Sequence, residues 1–279
     1  MQGKICLVTG ANSGVGKATA LGLARMGATV VMACRNQAKG EEAQKEVQAQ
    51  SGNSNVHLLL VDLSSQQSIR ELVAQFQQQF SQLHVLINNA GVFLLGRRKT
   101  VDGLEMTLAV NYLAPFLLTN LLLYTLKASA PARIINVSSD SHEAGYINMD
   151  DLQSENGFSF MKVYGQSKLA LVLFTYELAR RLEGTGVTAN ALHPGFVATN
   201  IAQNDVGPFL RVIAKVIFMF GINPEKGAAT SLYLASSPDV ENVTGKYFEK
   251  SQSHPSAPIS YDEALQHRLW EESIKLTHL

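Results

Sequence analysis

Tyr164 and Lys168 stand four residues apart in the stretch VYGQSK. On a helix that spacing puts both side chains on one face. A phenol and an ammonium there can be an ordinary surface pair, or a proton donor and the group that tunes it. Carbonyl reduction delivers a hydride to carbon and a proton to oxygen, and the proton donor works best with a pKa near the working pH. Free tyrosine, at about pKa 10, is too weak an acid. A neighbouring ammonium stabilises phenolate and lowers that value. Upstream, Ser138 and Ser139 end the run ARIINVSS. Either hydroxyl could anchor a carbonyl, but adjacent strand residues point to opposite faces, so only one can serve. The other is then a buried hydroxyl bonded to backbone.

Such chemistry needs a hydride carrier, and the N-terminal TGANSGVG has the form of a dinucleotide-binding turn. Gly10 lets the chain leave a strand tightly, Gly14 lets backbone amides approach a pyrophosphate, and Gly16 permits close helix–sheet packing. Asn12, Ser13 and Val15 complete this turn, and the helix that starts near Gly14 offers free N–H groups and a positive dipole end. At the end of the second apolar run, ACRN has no carboxylate for a ribose 2′-OH. Arg35 there is placed to pair with a 2′-phosphate, so NADP is expected over NAD. Asp62, in VDLS, could bond the adenine amine with Leu63 packing nearby, or cap the helix that follows.

The elements that must position these residues alternate. Strands are expected at 4–10, 28–34, 56–62, 85–91, 132–139, 187–194 and 245–248, rich in Val, Ile and Leu as strands covered on both faces should be. Helices are expected at 14–26, 38–50, 66–80, 103–128, 160–183 and 224–236. The last has Asn223 as cap, Pro224 in its first turn and Glu225 at its positive end. This alternation implies an α/β fold, a doubly wound, Rossmann-type parallel sheet of about seven strands in one domain over residues 1–279. The tail around Trp270, DEALQHRLWEESIKL, is expected to be a packing helix.

Composition narrows the class. The chain of 279 residues is 46% hydrophobic, too apolar for disorder, and its 23 basic and 23 acidic residues cancel, which argues against a nucleic-acid partner. Cys6 and Cys34 both lie in apolar runs and are expected as buried free thiols in a reducing, cytoplasmic setting. Asn136 begins a sequon but ends a probable core strand, so it is a poor glycosylation site. The first residues read as a strand, and the longest apolar region, 209–222, is too short to span a bilayer and contains Arg211 and Lys215. A soluble protein is expected, with weak membrane-surface contact left open.

TGANSGVG, NNAG at 88–91, Asn111, the serine, YGQSK and HPG at 193–195 occur in that order. Together they resemble the short-chain dehydrogenase/reductase family across the whole chain. ACRN, NVSSDSH and ELARRLEGTGVTANALHPG are similar to its retinol dehydrogenase-like and NADP-linked carbonyl reductase branch. The resemblance implies that Tyr164 is the acid, that Lys168 binds the nicotinamide ribose and lowers the tyrosine pKa, and that Ser139 holds the carbonyl. It implies that Asn111 holds a water in a proton relay. Asn89, Ala90 and Gly91 would flank the cofactor, and Pro194, Gly195, Val197 and Thr199 would contact its nicotinamide side. Residues 196–222 would form a substrate lid, with 209–220 a greasy wall, a packed helix or a membrane patch. His142 is expected to be solvated or structural. The implied activity is NADP-dependent interconversion of a hydrophobic carbonyl and an alcohol, with no metal, in a homodimer or homotetramer. An NAD-preferring alcohol dehydrogenase and a non-catalytic NADP-binding scaffold are the alternatives.

Overall fold

The computed structural model describes residues 1–195 and 223–279. Its eight strands are β1 (Ile5–Thr9), β2 (Thr29–Cys34), β3 (Val56–Leu60), β4 (Val85–Asn88), β5 (Ala132–Val137), β6 (Val187–His193), β7 (Tyr247–Glu249) and β8 (Gln252–His254). They form one sheet in the order β3-β2-β1-β4-β5-β6-β7-β8. All pairs are parallel except β7 with β8. The sequence pattern missed β8, because QSH is polar and exposed and carries no buried face to reveal it.

Alternate residues of each strand enter opposite cores, as a period of two requires. Leu7, Val31, Ala33, Leu86 and Ile134 face one cluster, while Cys6, Val8, Val30, Met32, Ile87 and Ile135 face the other. Helices α1 (Gly14–Arg25), α2 (Gln37–Ser51) and α7 (Pro224–Ser236) cover the second. The first is covered by α3 (Gln66–Gln79), α5 (Ala114–Ala128), α6 (Phe160–Arg181) and α8 (Glu263–Thr277). Asn223 caps α7, accepting from Glu225 N at 2.9 Å. Cys6 and Cys34 are buried and free. Asn136 is fully buried, its amide bonded to Asn88 and Thr175.

The expected helix 103–128 starts later and is interrupted. A short helix, α4 (Met106–Leu108), leads into a π turn at Ala109–Leu113 before α5 resumes. The combined helix Met106–Ala128 is also the longer apolar stretch, in place of 209–222, and is long and apolar enough to cross a membrane. Here it is a core helix, with 78% of its apolar window buried inside the fold.

Between β1 and β4 the chain order reverses, because β2 and β3 continue to one side of β1 and β4 to β8 to the other. Ligands of such sheets bind in the crevice outside the strand C-termini at that reversal.

Helix α8 closes the far side of the core through Trp270, whose ring centroid lies 5.0 Å from Phe116 and 5.7 Å from Phe174. The Arg181 guanidinium covers the ring at 4.2 Å. Truncating a buried aromatic of this kind costs about 3–5 kcal/mol. Trp270→Ala should lower the urea midpoint accordingly when unfolding is followed by circular dichroism.

Candidate active site

The turn after β1 is shaped by contacts that leave no room for side chains. Gly10 has φ +66°, and a Cβ there would lie 3.0 Å from the Ala90 Cα. A Cβ at Gly16 would lie 2.4 Å from the Gly10 carbonyl oxygen and 2.5 Å from Asn89 Nδ2. Gly14 also has positive φ, +54°. Thr9, not singled out from the sequence, fastens the two strand ends together. Its Oγ1 accepts from Asn89 N at 3.0 Å and Ala90 N at 3.1 Å, and its carbonyl accepts from Asn89 Nδ2 at 2.8 Å. Ser13 is the N-cap of α1 but makes no side-chain cap bond, which leaves the first-turn N–H groups available. Asn12 lies in the same turn, and Val15 is buried in the first turn of α1. This narrow, amide-lined cradle fits a pyrophosphate.

Arg35 is exposed at the end of β2. Its neighbour Asn36 caps α2 by accepting from Lys39 N at 2.9 Å. Asp62 does not cap α3, contrary to that reading. Ser65 does, accepting from Ser68 N, while Asp62 Oδ1 closes a turn with Ser64 N at 2.9 Å and Ser64 Oγ at 2.6 Å. Leu63 is half-buried against the core.

Opposite this cradle, β5 and α6 bring the chemistry together. Lys168 is 4% exposed, and its ammonium donates to the Val137 carbonyl at 3.0 Å. Ser138 Oγ donates to the Lys168 carbonyl at 2.9 Å, so this serine is used up by the backbone. Ser139 lies on the open side, its Oγ donating to Asp140 Oδ1 at 2.8 Å and accepting from Ser141 N at 3.2 Å. The Ser139 hydroxyl also reaches the Tyr164 phenol. Lys168 Nζ stands 5.7 Å from the Tyr164 ring centroid. A Cβ at Gly91 would be 3.5 Å from Lys168 Nζ and 3.4 Å from Asn111 Oδ1, so this glycine leaves the floor of the crevice clear.

Burial governs both ionisable groups of this pair. Burial pushes the Tyr164 phenol up to about 12, with the Ser139 hydrogen bond opposing and Asp140 adding to the rise. The Lys168 ammonium is turned towards the Val137 carbonyl, and burial takes its own pKa down to about 8. Asn111, on the π turn, is bound through its amide. Its Oδ1 accepts from Val92 N at 2.7 Å, and its Nδ2 donates to Val92 O at 2.9 Å and Ser167 Oγ at 3.1 Å. It pins the segment after NNAG to α6.

At the end of β6, His193 leads into Pro194 and Gly195, which turns the chain with φ +83°. Val197, Thr199 and the expected lid at 196–222 lie outside the described residues. The mouth of the crevice is apolar. Phe93 meets Tyr164 edge-on at 5.0 Å and Phe160 at 5.6 Å, and Leu95 and Met161 are exposed beside them in sequence. The sequence reading overlooked Phe93, although it stands two residues after the NNAG turn.

The short chain dehydrogenase family model matches residues 4–207. Human retinol dehydrogenase 14 is 47% identical, over 98% of this chain and 86% of that protein. A solved structure of an uncharacterized protein from Mycobacterium Paratuberculosis superposes with a TM-score of 0.81 at 34% identity, covering 99% of this chain and 94% of the other. The Pseudomonas aeruginosa RhlG/NADP active-site complex gives a TM-score of 0.70 at 26% identity, covering 89% and 94%. The chain therefore belongs to the short-chain dehydrogenase/reductase family, in its retinol dehydrogenase-like branch. It is an oxidoreductase of the class that acts on alcohol and carbonyl groups with a nicotinamide dinucleotide.

The buried Lys168 has a cost whose sign can be checked. Its pKa is lower in the fold than in the unfolded chain, so the unfolded state holds more protons between about pH 8 and 10.5 and stability rises with pH across that window. At pH 7 the full penalty is present. Lys168→Met should therefore stabilise the cofactor-free protein at pH 7 by roughly 1–3 kcal/mol. The gain should shrink as pH approaches 10, read as urea midpoints of the two proteins.

Proposed function

We propose that the protein is an NADP(H)-dependent oxidoreductase that interconverts a hydrophobic aldehyde or ketone and its alcohol. The observation that carries this is the convergence of Ser139, Tyr164 and Lys168 at the β5–α6 side of the crevice, facing the glycine cradle. When bound, the cofactor supplies or accepts the hydride. The chain's own residues handle orientation and the proton. Ser139 Oγ donates a hydrogen bond to the substrate oxygen, exchanging its bond to Asp140 for that contact. The Tyr164 hydroxyl gives its proton to the same oxygen, or takes it back in the oxidative direction. Lys168 holds the ribose side, its ammonium 5.7 Å from the Tyr164 ring centroid.

With its pKa near 12, Tyr164 is protonated at neutral pH, which is the form that reduction needs. Oxidation needs phenolate, and the positive charge of an oxidised nicotinamide favours that form. Arg35, at the end of a strand that lacks a terminal carboxylate, supports preference for a 2′-phosphate. The aromatic and aliphatic mouth of Phe93, Leu95, Phe160 and Met161 supports an apolar substrate. The relatives' names make a retinoid the first compound to test.

Tyr164→Phe should retain NADPH affinity within about twofold and lose at least about a thousandfold in kcat for retinal and long-chain aldehydes. Substantial residual turnover would remove Tyr164 as the proton donor, and binding without turnover by the wild type would support a scaffold. Arg35→Ala should raise KM for NADPH at least about tenfold with little change for NADH, because a charge-assisted phosphate contact is lost. Equal losses for both cofactors, or a lower wild-type KM for NADH, would overturn the NADP preference.

A further inference from the structure

His142 is fully buried, three residues after Ser139, and the chemistry above does not use it. Its ring makes two hydrogen bonds of fixed polarity. Nε2 lies 3.1 Å from Ala257 N, and a backbone N–H can only donate, so Nε2 accepts. The ring proton is therefore on Nδ1, which donates to the Ser139 carbonyl at 2.6 Å. That carbonyl also receives His142 N at 3.2 Å. The ring packs against Tyr247 of β7, with centroids 4.6 Å apart and the planes tilted by 42°.

The far side of this bridge is itself anchored. Ser256 Oγ bonds Tyr176 of α6 and Ser260, each at 2.6 Å. Gln266 of α8 donates to the Ser260 carbonyl at 2.6 Å. A chain of bonds thus runs from α8 through residues 256–260 and His142 to the backbone of the serine that faces Tyr164.

We propose that neutral His142 is a positioning residue, a two-ended link through which the C-terminal segment 255–261 holds Ser139 in register with Tyr164. The catalytic part of this rests on the role proposed for Ser139. A ring with one donor and one acceptor suits the site, since the two backbone groups it joins are a carbonyl and an N–H. Protonation would put a second N–H on Nε2, facing the Ala257 N–H, and would break the outer bond. The groups around the ring are Asp140 and Glu143 of its own turn, which favour its charge, His193 of β6, which opposes it, and Tyr247 of β7. Burial is the largest influence and lowers the His142 pKa. The neutral form therefore prevails near pH 7.

The test uses the full-length protein and three variants. His142→Phe keeps a ring against Tyr247 and deletes both bonds. His142→Asn puts an amide nitrogen where Nδ1 was and restores only the bond to Ser139. Ala257→Pro deletes only the outer donor, at a residue whose φ of −49° a proline can adopt. For His142→Phe, kcat for retinal reduction should fall at least tenfold with NADPH affinity within twofold. Amide exchange should quicken in both 139–145 and 255–261. His142→Asn should recover kcat to within threefold of wild type while 255–261 still exchanges fast, and it should lack the loss of kcat that protonation of the ring causes in the wild type at acidic pH. Ala257→Pro should quicken exchange in 139–145 and so tests the link if the phenylalanine variant fails to fold.

Unchanged exchange in 139–145 in both His142→Phe and Ala257→Pro overturns the proposal. Equal losses of kcat in the asparagine and phenylalanine variants also overturn it, by reducing His142 to packing. If the wild type turns over no carbonyl, the proposed reaction falls. The exchange measurements then still decide whether the link exists.

Discussion

The site depends on a reciprocal pair of bonds between β5 and α6. The Lys168 ammonium donates to the carbonyl of Val137, the last residue of β5, and Ser138, which follows it, donates its hydroxyl to the Lys168 carbonyl. A helix packed on a sheet by apolar contacts alone can slide by a fraction of a turn at little cost, because dispersion and burial are not directional. Two directional bonds running in opposite senses remove that freedom. Tyr164, one turn before Lys168 on the same face, is thereby set against Ser139. The cost is a buried ammonium, tolerated because the carbonyl replaces part of its lost hydration.

Buried polar groups hold other parts of the crevice in the same way. Thr9 ties the end of β1 to the turn after β4, and Asn111 ties Val92 to α6 from the π turn. Deeper in the sheet, Asn88 and Asn136 bridge Thr119 of α5 to Thr175 of α6. Each such group would be expensive without its partners, so each also disfavours alternative packings. The close approach of Gly16 to Gly10 and Asn89 belongs with them.

The strand–helix alternation, the glycine turn, the cap at Asn223 and the Tyr164–Lys168 spacing were legible because each is a local pattern with a local cause. The readings that failed depended on something local pattern does not carry. Strand β8 is three polar residues, held only by pairing with β7. Asp62 and Ser65 are both good cap residues by type, and the course of the chain chose Ser65. The π turn at Asn111 has no marker in an apolar helix that otherwise reads as continuous. For His142 the sequence left solvated and structural roles open, and only its contacts with Ala257 and Tyr247, more than a hundred residues away in sequence, decide for the structural one.

The sequence by itself determined the elements, their parallel arrangement and the residue types that can carry hydride and proton chemistry. Periodicity, glycine spacing and the order of the motifs are properties of the chain alone. The tertiary structure decided which serine faces the crevice, where the Lys168 charge points, and that burial raises the Tyr164 pKa. The physical reason is that hydrogen-bond direction and desolvation depend on what surrounds a group in three dimensions. Side-chain spacing along a helix brings a phenol and an ammonium to one face, but the carbonyl that claims the ammonium comes from the end of strand β5.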